Sequence, residues 1–233
     1  MSQSTSIQCV TLDLDDTLWD CPPVIIAAEK AFYDWLVDRY PHIAEHYELT
    51  DLVTHRREYF DQLNHSKPYD FTYLRKRWLA DLGQQWGHGD ALVEEGFEIF
   101  IAARNRVVLY EGALETLATL SKRYRLGALT NGNADVHRIG IGHWFHFVVS
   151  AAEAKALKPE PAIFEKALEL AGVGAAHTVH VGDDAVRDVQ GAAAVGMRTV
   201  WVNPSGSPWP GGASPDAVIK TISELVGALD ALG

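Results

Sequence analysis

Residues 10–18 read Val-Thr-Leu-Asp-Leu-Asp-Asp-Thr-Leu (VTLDLDDTL). An apolar, β-prone run ends in three carboxylates, Asp13, Asp15 and Asp16, within four positions. Side chains two apart on a strand point the same way. The spacing therefore predicts that Asp13 and Asp15 share a pocket at the strand's end while Asp16 points elsewhere. Two carboxylates that close do not both ionise without a shared proton or a metal ion. The ordinary alternative is a turn or a helix N-cap, where Asp and Thr are favoured.

Working outward, further apolar runs occur at residues 125–130, 145–149, 178–181 and 198–202, with the first strand spanning 7–12. Helical spacing appears between the later runs, at 111–122, 161–171 and 185–195. Strand–helix alternation of this kind predicts an α/β fold, a doubly wound parallel sheet. In such sheets ligands bind at the carboxyl ends of the strands. The first strand breaks the rhythm. Residues 22–40, 41–63, 69–86 and 90–109 read as helices rich in Trp, Phe and Tyr, with turns at SKPYD and GHGD. The expected organisation is a core of residues 1–20 and 110–233 with a helical domain, 21–109, inserted after the first strand. Residues 203–214 (NPSGSPWPGGAS) read as a loop, and Thr221-Ile-Ser-Glu224 as the capping box of a C-terminal helix.

Other strand ends carry similar chemistry. The run at 178–181 leads into GDDAVRD, which brings Asp183, Asp184 and Asp188. Helix capping by Asp183 or Asp184, with Asp188 on a solvated face, would explain one such strand but explains two less well. The run at 125–130 ends in Thr130, Asn131 and Gly132, small hydrogen-bonding groups suited to an oxyanion or phosphate, or to an ordinary Asn-Gly turn. Lys158 stands directly before Pro159 at the start of a helix, where its charge can reach over the sheet end. Together, the carboxylates call for a hard cation, and oxygen-only ligation suits Mg²⁺. The lysine and Thr130 suit phosphoryl oxygens. One carboxylate is then available as nucleophile and a second as general acid and base.

Composition narrows the classes. The chain has 233 residues, 47% hydrophobic and 22% charged, with a net charge of −11. That charge argues against nucleic acid as a partner, and Arg75-Lys76-Arg77 is too short to overturn it. No apolar run suggests a membrane span, and MSQSTSIQC lacks the features of a signal peptide. The two cysteines, Cys9 and Cys21, predict reduced thiols and a cytoplasmic location, not a disulfide framework.

Four segments in this order, DLDDTL, LTNGN, KP with its following helix, and GDDAVRD continuing to Gly191-Ala192 and Gly196-Met197, resemble the four motifs of the haloacid dehalogenase (HAD) superfamily. The inserted helices resemble the cap domain of its subfamily I, and the core its Rossmann-like fold. The resemblance implies Asp13 as nucleophile and Asp15 as general acid and base. It implies Mg²⁺ held by Asp13, the Asp15 carbonyl and Asp183, and a phosphate held by Thr130 and Lys158 with Asn131 nearby. Asp188 would orient Lys158 or a metal-bound water, and Asp184 stands where many relatives have Ser. Dehalogenases of the superfamily typically lack the second Asp, so its presence favours phosphate transfer from a small-molecule ester. DLDDTLWD, LTNGNAD, SAAEAKALKPEPAIF and HVGDDAVRDVQGA are similar to bacterial phosphatases of flavin mononucleotide and of the phosphorylated pyrimidine of riboflavin synthesis. A 2-haloacid dehalogenase and a non-enzymatic phospho-acceptor receiver are the alternatives. For substrate selection the candidates are Tyr69, Phe71, Tyr73 and Trp78 as stacking rings and Arg75 as an anion partner, set against the commoner role of such aromatics as core.

Two patterns carry less. His42-Ile-Ala-Glu45-His46 matches the inverted zinc-protease motif but has no identifiable third ligand. Gly172-Val-Gly174-Ala-Ala-His177 fails the dinucleotide fingerprint at its last position. His177 and His180 read as structural or solvated.

Overall fold

The computed structural model describes residues 6–62 and 66–233. The expectations for the chain's first five residues and for a helix reaching Leu63 fall outside them. Two compact units emerge: Met1–Asp20 with Val108–Gly233, and Cys21–Val107.

The first unit is built on six parallel strands: β1 (Cys9–Leu12), β2 (Arg125–Thr130), β3 (Phe147–Ser150), β4 (Thr178–Gly182), β5 (Arg198–Val202) and β6 (Ala217–Ile219). Their order is β3-β2-β1-β4-β5-β6. The order reverses direction at β1, so the crevice between the carboxyl ends of β1 and β4 is the switch point where such sheets bind ligands. Every residue of β1 and β4 is buried, as expected of strands covered on both faces. Leu12 pairs with Ala128 of β2 and Val181 of β4. This register places Asp13 and Asp183 just beyond the carboxyl ends of β1 and β4, beside Thr130, the last residue of β2.

Helices follow the strands. Pro161–Ala171 buries Ile163, Phe164 and Ala167, and its proline sits in the first turn, where a missing N–H costs nothing. The stretch read as one helix at 185–195 is a π-helical turn, Ala185–Gln190, followed by a short helix, Gly191–Ala194. The 203–214 loop is present as expected, the strand after it gave no sequence signal, and one further expectation, the C-terminal capping box, is corrected. Sheet pairing continues past the 203–214 loop into β6, a three-residue edge strand. The C-terminal helix, Leu225–Leu232, has no capping box: Thr221 makes no side-chain cap, and its hydroxyl donates instead to Glu224. The capping box lies at Ser150 and Glu153, after β3.

The second unit is helical: Cys21–Arg39, Pro41–Ala44, Leu49–Gln62, Phe71–Gln85 and Val93–Arg104. Phe32, Leu36, Trp78, Leu79, Leu82 and Phe100 form its core. Within that core Glu29 accepts from Arg75 through both carboxylate oxygens and from Arg56 at 3.1 Å. The Arg75 guanidinium lies 3.3 Å from the Phe100 ring centroid. Burial pushes its pKa down to about 10 against the pull of Glu29. Arg75 is thus an internal strut and not an exposed anion partner. Trp78 is likewise core, its indole donating to His55. Tyr69 and Tyr73 are half-buried and Phe71 is exposed. His42 faces His88, with Nε2 atoms 2.8 Å apart, while the His46 ring packs on Trp86. Among the described residues no third metal ligand converges on them. Nor is any described helix long and apolar enough to cross a membrane.

Candidate active site

The chain leaves β1 along a path set by main-chain bonds. Asp13 N–H donates to Val181 O at 2.9 Å, extending the pairing with β4 by one residue. The strand ends at Leu12, so the period-two rule no longer governs the next positions. Leu14 O then accepts from Thr17 and Leu18, and Asp16 takes a left-handed conformation, φ 60°. Leu14, Leu18 and Trp19 are fully buried and anchor this turn. Asp15 accepts the Trp19 indole N–H at 2.9 Å, which orients its carboxylate. The negative charge of Asp16 contributes to raising the Asp183 pKa.

The carboxylates that converge are Asp13, Asp183 and Asp188, which offer ligand oxygens within 4.8 Å of one another. Lys158 stands among them, 4% exposed. Its ammonium donates to Asp13 Oδ1, to Asp188 Oδ1 at 2.6 Å and to Leu129 O at 3.2 Å. All three of its protons are used. Burial alone would lower its pKa, but the charges of Asp13 and Asp188 hold it above the ordinary lysine value. Asp188 is buried too; burial opposes its ionisation, yet the Lys158 charge and a His180 hydrogen bond hold it below the usual carboxylate range. Asp13 is raised well above that range, first by burial and then by Asp188 and Asp183, against the opposing pull of Lys158. Asp183 is pushed up to about 6 by burial, Asp188 and Asp16.

One lysine therefore faces more negative charge than it balances. The excess, carried entirely by oxygen, fits a hard divalent cation such as Mg²⁺. Asp183 is fixed for such a role: Thr17 donates to its Oδ1 at 3.2 Å, and the Trp201 indole to its main-chain carbonyl at 2.7 Å. Trp209, from the Pro- and Gly-rich loop, packs edge-on against Trp201 at 5.2 Å.

The remaining candidates are brought to the same sheet edge. Thr130 ends β2, buried, and its oxygen accepts from Gly132 N–H at 2.9 Å, which leaves the hydroxyl hydrogen to donate elsewhere. Asn131 turns away from a ligand role. Its Oδ1 accepts from Lys158 N–H at 2.7 Å and its Nδ2 donates to Lys158 O at 3.1 Å, clamping the main chain that carries the ammonium. Asp184 is the helix cap: its Oδ1 accepts from Val186 and Arg187 N–H. Asp188 is buried, not solvated, and returns over Gly182, where a Cβ would stand 2.2 Å from the Asp188 carboxyl carbon. His180, read as structural or solvated, sits buried in mid-strand against Asp188. A polar side chain inside an apolar run was the signal for it.

Residues 7–196 match the family described as haloacid dehalogenase-like hydrolase. The chain is 31% identical over 204 residues to the 5-amino-6-(5-phospho-D-ribitylamino)uracil phosphatase YigB of Escherichia coli (strain K12), covering 85% of this chain and 84% of that one. Among solved structures it is similar to a 2-haloacid dehalogenase from Pseudomonas syringae pv. Tomato DC3000, with TM-score 0.90 and 38% identity, covering 97% of this chain and 100% of that one. A HAD phosphatase from Thermococcus onnurineus superposes with TM-score 0.69 at 26% identity, covering 96% of this chain and 98% of that one. By its match over most of its length, the chain belongs to the haloacid dehalogenase-like hydrolases.

Proposed function

We propose that the protein is a Mg²⁺-dependent phosphomonoesterase that works through a phosphorylated Asp13. The observation that carries this reading is the convergence of Asp13, Asp183 and Asp188 around Lys158 at the sheet's switch point. Asp13 and Asp183, with the Asp15 carbonyl, would hold the cation. When bound, Mg²⁺ neutralises charge on the phosphoryl oxygens. The Thr130 hydroxyl binds another oxygen, and Lys158 a further one once that oxygen takes the place of one of its present acceptors. An Asp13 carboxylate oxygen attacks phosphorus as the ester oxygen leaves, and Asp15, oriented by Trp19, gives that oxygen its proton. Asp15 then takes a proton from water, which attacks phosphorus, releases phosphate and regenerates Asp13. The inserted helical unit would act as the cap that selects substrate.

The likeness to the Escherichia coli enzyme supports 5-amino-6-(5-phospho-D-ribitylamino)uracil as substrate, and the motif resemblance adds flavin mononucleotide as a candidate. The net charge of −11 favours a small ester over nucleic acid. Both thiols suit a reducing compartment, which we take to be the cytoplasm. The Pseudomonas likeness supports a second reading, 2-haloacid dehalogenation. Asp15 speaks against it, because halide needs no proton to leave.

Phosphate release from flavin mononucleotide, the pyrimidine phosphate, sugar phosphates, phosphoglycolate and nucleotides, with and without Mg²⁺, tests the proposal beside halide release from 2-haloacids. Mg²⁺-dependent phosphate release that is abolished by Asp13→Asn is expected. Full turnover in that variant refutes the mechanism. Halide release without phosphate release selects the dehalogenase. Long-lived labelling by acetyl phosphate without turnover selects a receiver.

A further inference from the structure

We propose that His180 is a positioning residue, held by the Thr11 hydroxyl in its Nε2–H tautomer so that it donates to Asp188 and aims that carboxylate at Lys158. Thr11 and His180 are register partners across β1 and β4, and both are buried. The Thr11 oxygen lies 2.9 Å from His180 Nδ1, and His180 Nε2 lies 3.1 Å from Asp188 Oδ1. That same Oδ1 accepts from Lys158, and Asp188 Oδ2 accepts from Asp184 N–H at 3.0 Å. Phe164 meets the imidazole edge-on, with centroids 5.3 Å apart, and fixes its plane.

The direction of each bond follows by elimination. Asp188, ionised beside Lys158, only accepts, so the ring proton is on Nε2. A second ring proton would add a buried cation beside Lys158, and burial keeps the imidazole neutral. Nδ1 is therefore a bare acceptor, and the donor that faces it is the Thr11 hydroxyl. The rival acceptor for that hydroxyl, Val179 O, is farther away at 3.5 Å. The chain of donors then runs Thr11 to His180 to Asp188, while Lys158 donates to Asp188 and Asp13. Removing the hydroxyl leaves Nδ1 without its donor, so that Asp188 alone favours the Nε2–H tautomer. A proton moved to Nδ1 would leave the Nε2 lone pair facing a carboxylate.

The tautomer stands on this packing alone, and its catalytic consequence rests on the phosphatase reading. Two measurements separate them. In long-range ¹H–¹⁵N spectra of the histidine rings, with His180→Gln to assign the signal, the wild-type protein and Thr11→Ser are expected to show a protonated Nε2 and a bare Nδ1. Thr11→Val is expected to keep the protonated Nε2, which Asp188 still accepts, but to move the Nδ1 resonance as its hydrogen-bond donor is lost, and an unmoved Nδ1 resonance overturns the Thr11 contact. In Mg²⁺-dependent hydrolysis of p-nitrophenyl phosphate, His180→Leu is expected to lose roughly tenfold or more in kcat/KM, the worth of one hydrogen bond to a charged group. His180→Gln, whose amide nitrogen can reach the Nε2 position, is expected to recover most of it. For a packing role the order reverses, because leucine fills an apolar site better than glutamine. A wild-type imidazolium or Nδ1–H tautomer overturns the assignment. Equal activity of the Leu and Gln variants overturns the positioning role. The expected spectrum in a protein that hydrolyses no ester supports the hydrogen-bonded chain and overturns the phosphatase reading instead.

Discussion

Replacing Lys158 with methionine removes one charge and leaves two buried carboxylates facing each other. At 2.6 Å the attraction between Lys158 and Asp188 is about 6 kcal/mol for an effective dielectric of 20. Desolvating both groups offsets much of this, so the pair as a whole adds little to stability. Deleting only the cation is different, because Asp13 and Asp188 remain desolvated without a countercharge. The expected cost is about 3–5 kcal/mol near neutral pH. The pH dependence has a definite sign. In the wild-type protein the Asp188 pKa is depressed, so its contribution is present above the unfolded value and is lost as pH falls through the folded one. Without Lys158 that pKa rises above the unfolded value. The folded variant then binds the extra proton, and its stability falls as pH rises through the new value. The gap between the two proteins is therefore widest at neutral pH and narrows on acidification, by up to about 1.4 kcal/mol per pH unit for each group that titrates. Urea-dependent amide exchange along β1 and β4 reads the stability of the α/β unit separately from the helical one. A cost below about 1 kcal/mol would refute the argument that unpaired buried charge dominates here, and so would a gap that widens on acidification.

Other outcomes follow from the same geometry. Gly182→Ala drives a Cβ into the Asp188 carboxyl; it should destabilise by about 1–3 kcal/mol and impair turnover as Asp188→Asn does, and wild-type kinetics in the alanine variant would show that Asp188 can move. With Asp183 raised to about 6, a cation must displace a proton below that pH. Calorimetry should find Mg²⁺ affinity falling about tenfold per pH unit there, and a flat profile would remove Asp183 from the ligand set. In the metal-free protein the same raised group favours folding at low pH, and that contribution is lost as pH rises through about 6. Arg75→Leu should cost the helical unit about 2–3 kcal/mol, because Glu29 loses its bidentate partner and keeps only Arg56, while KM stays unchanged. A large rise in KM with unchanged stability would return Arg75 to a role in substrate binding.

The parallel sheet and most of its charged edge were legible in the sequence because they depend on local signals. Apolar runs mark β1, β2, β4 and β5, and each of β1 and β4 runs straight into carboxylates. What escaped depends on partners far along the chain or on single torsions. β6 is three residues at an edge and pairs only through β5. The facing of Asp15 and Asp16 turns on a strand that stops at Leu12 and on one left-handed residue, which alternation does not encode. Arg75 was a candidate anion partner for a substrate, yet Glu29, 46 residues earlier, draws it into the core. His180 differs from these, because its signal was present. Thr11 and His180 are polar residues in the interior of two largely apolar strands; the other, Thr178 at the start of β4, is satisfied locally by Gly174 O. A buried polar group costs far more unpaired than paired. Two such interruptions in strands meeting at a switch point therefore imply each other as partners. With the ring's other nitrogen directed toward the carboxylates beyond β4, the pair reads as a support for the charged edge. The general consequence for doubly wound sheets is that the polar residue within the strand deserves the same scrutiny as the one at its end. The end residue meets the ligand, and the interior one determines where the end residue stands.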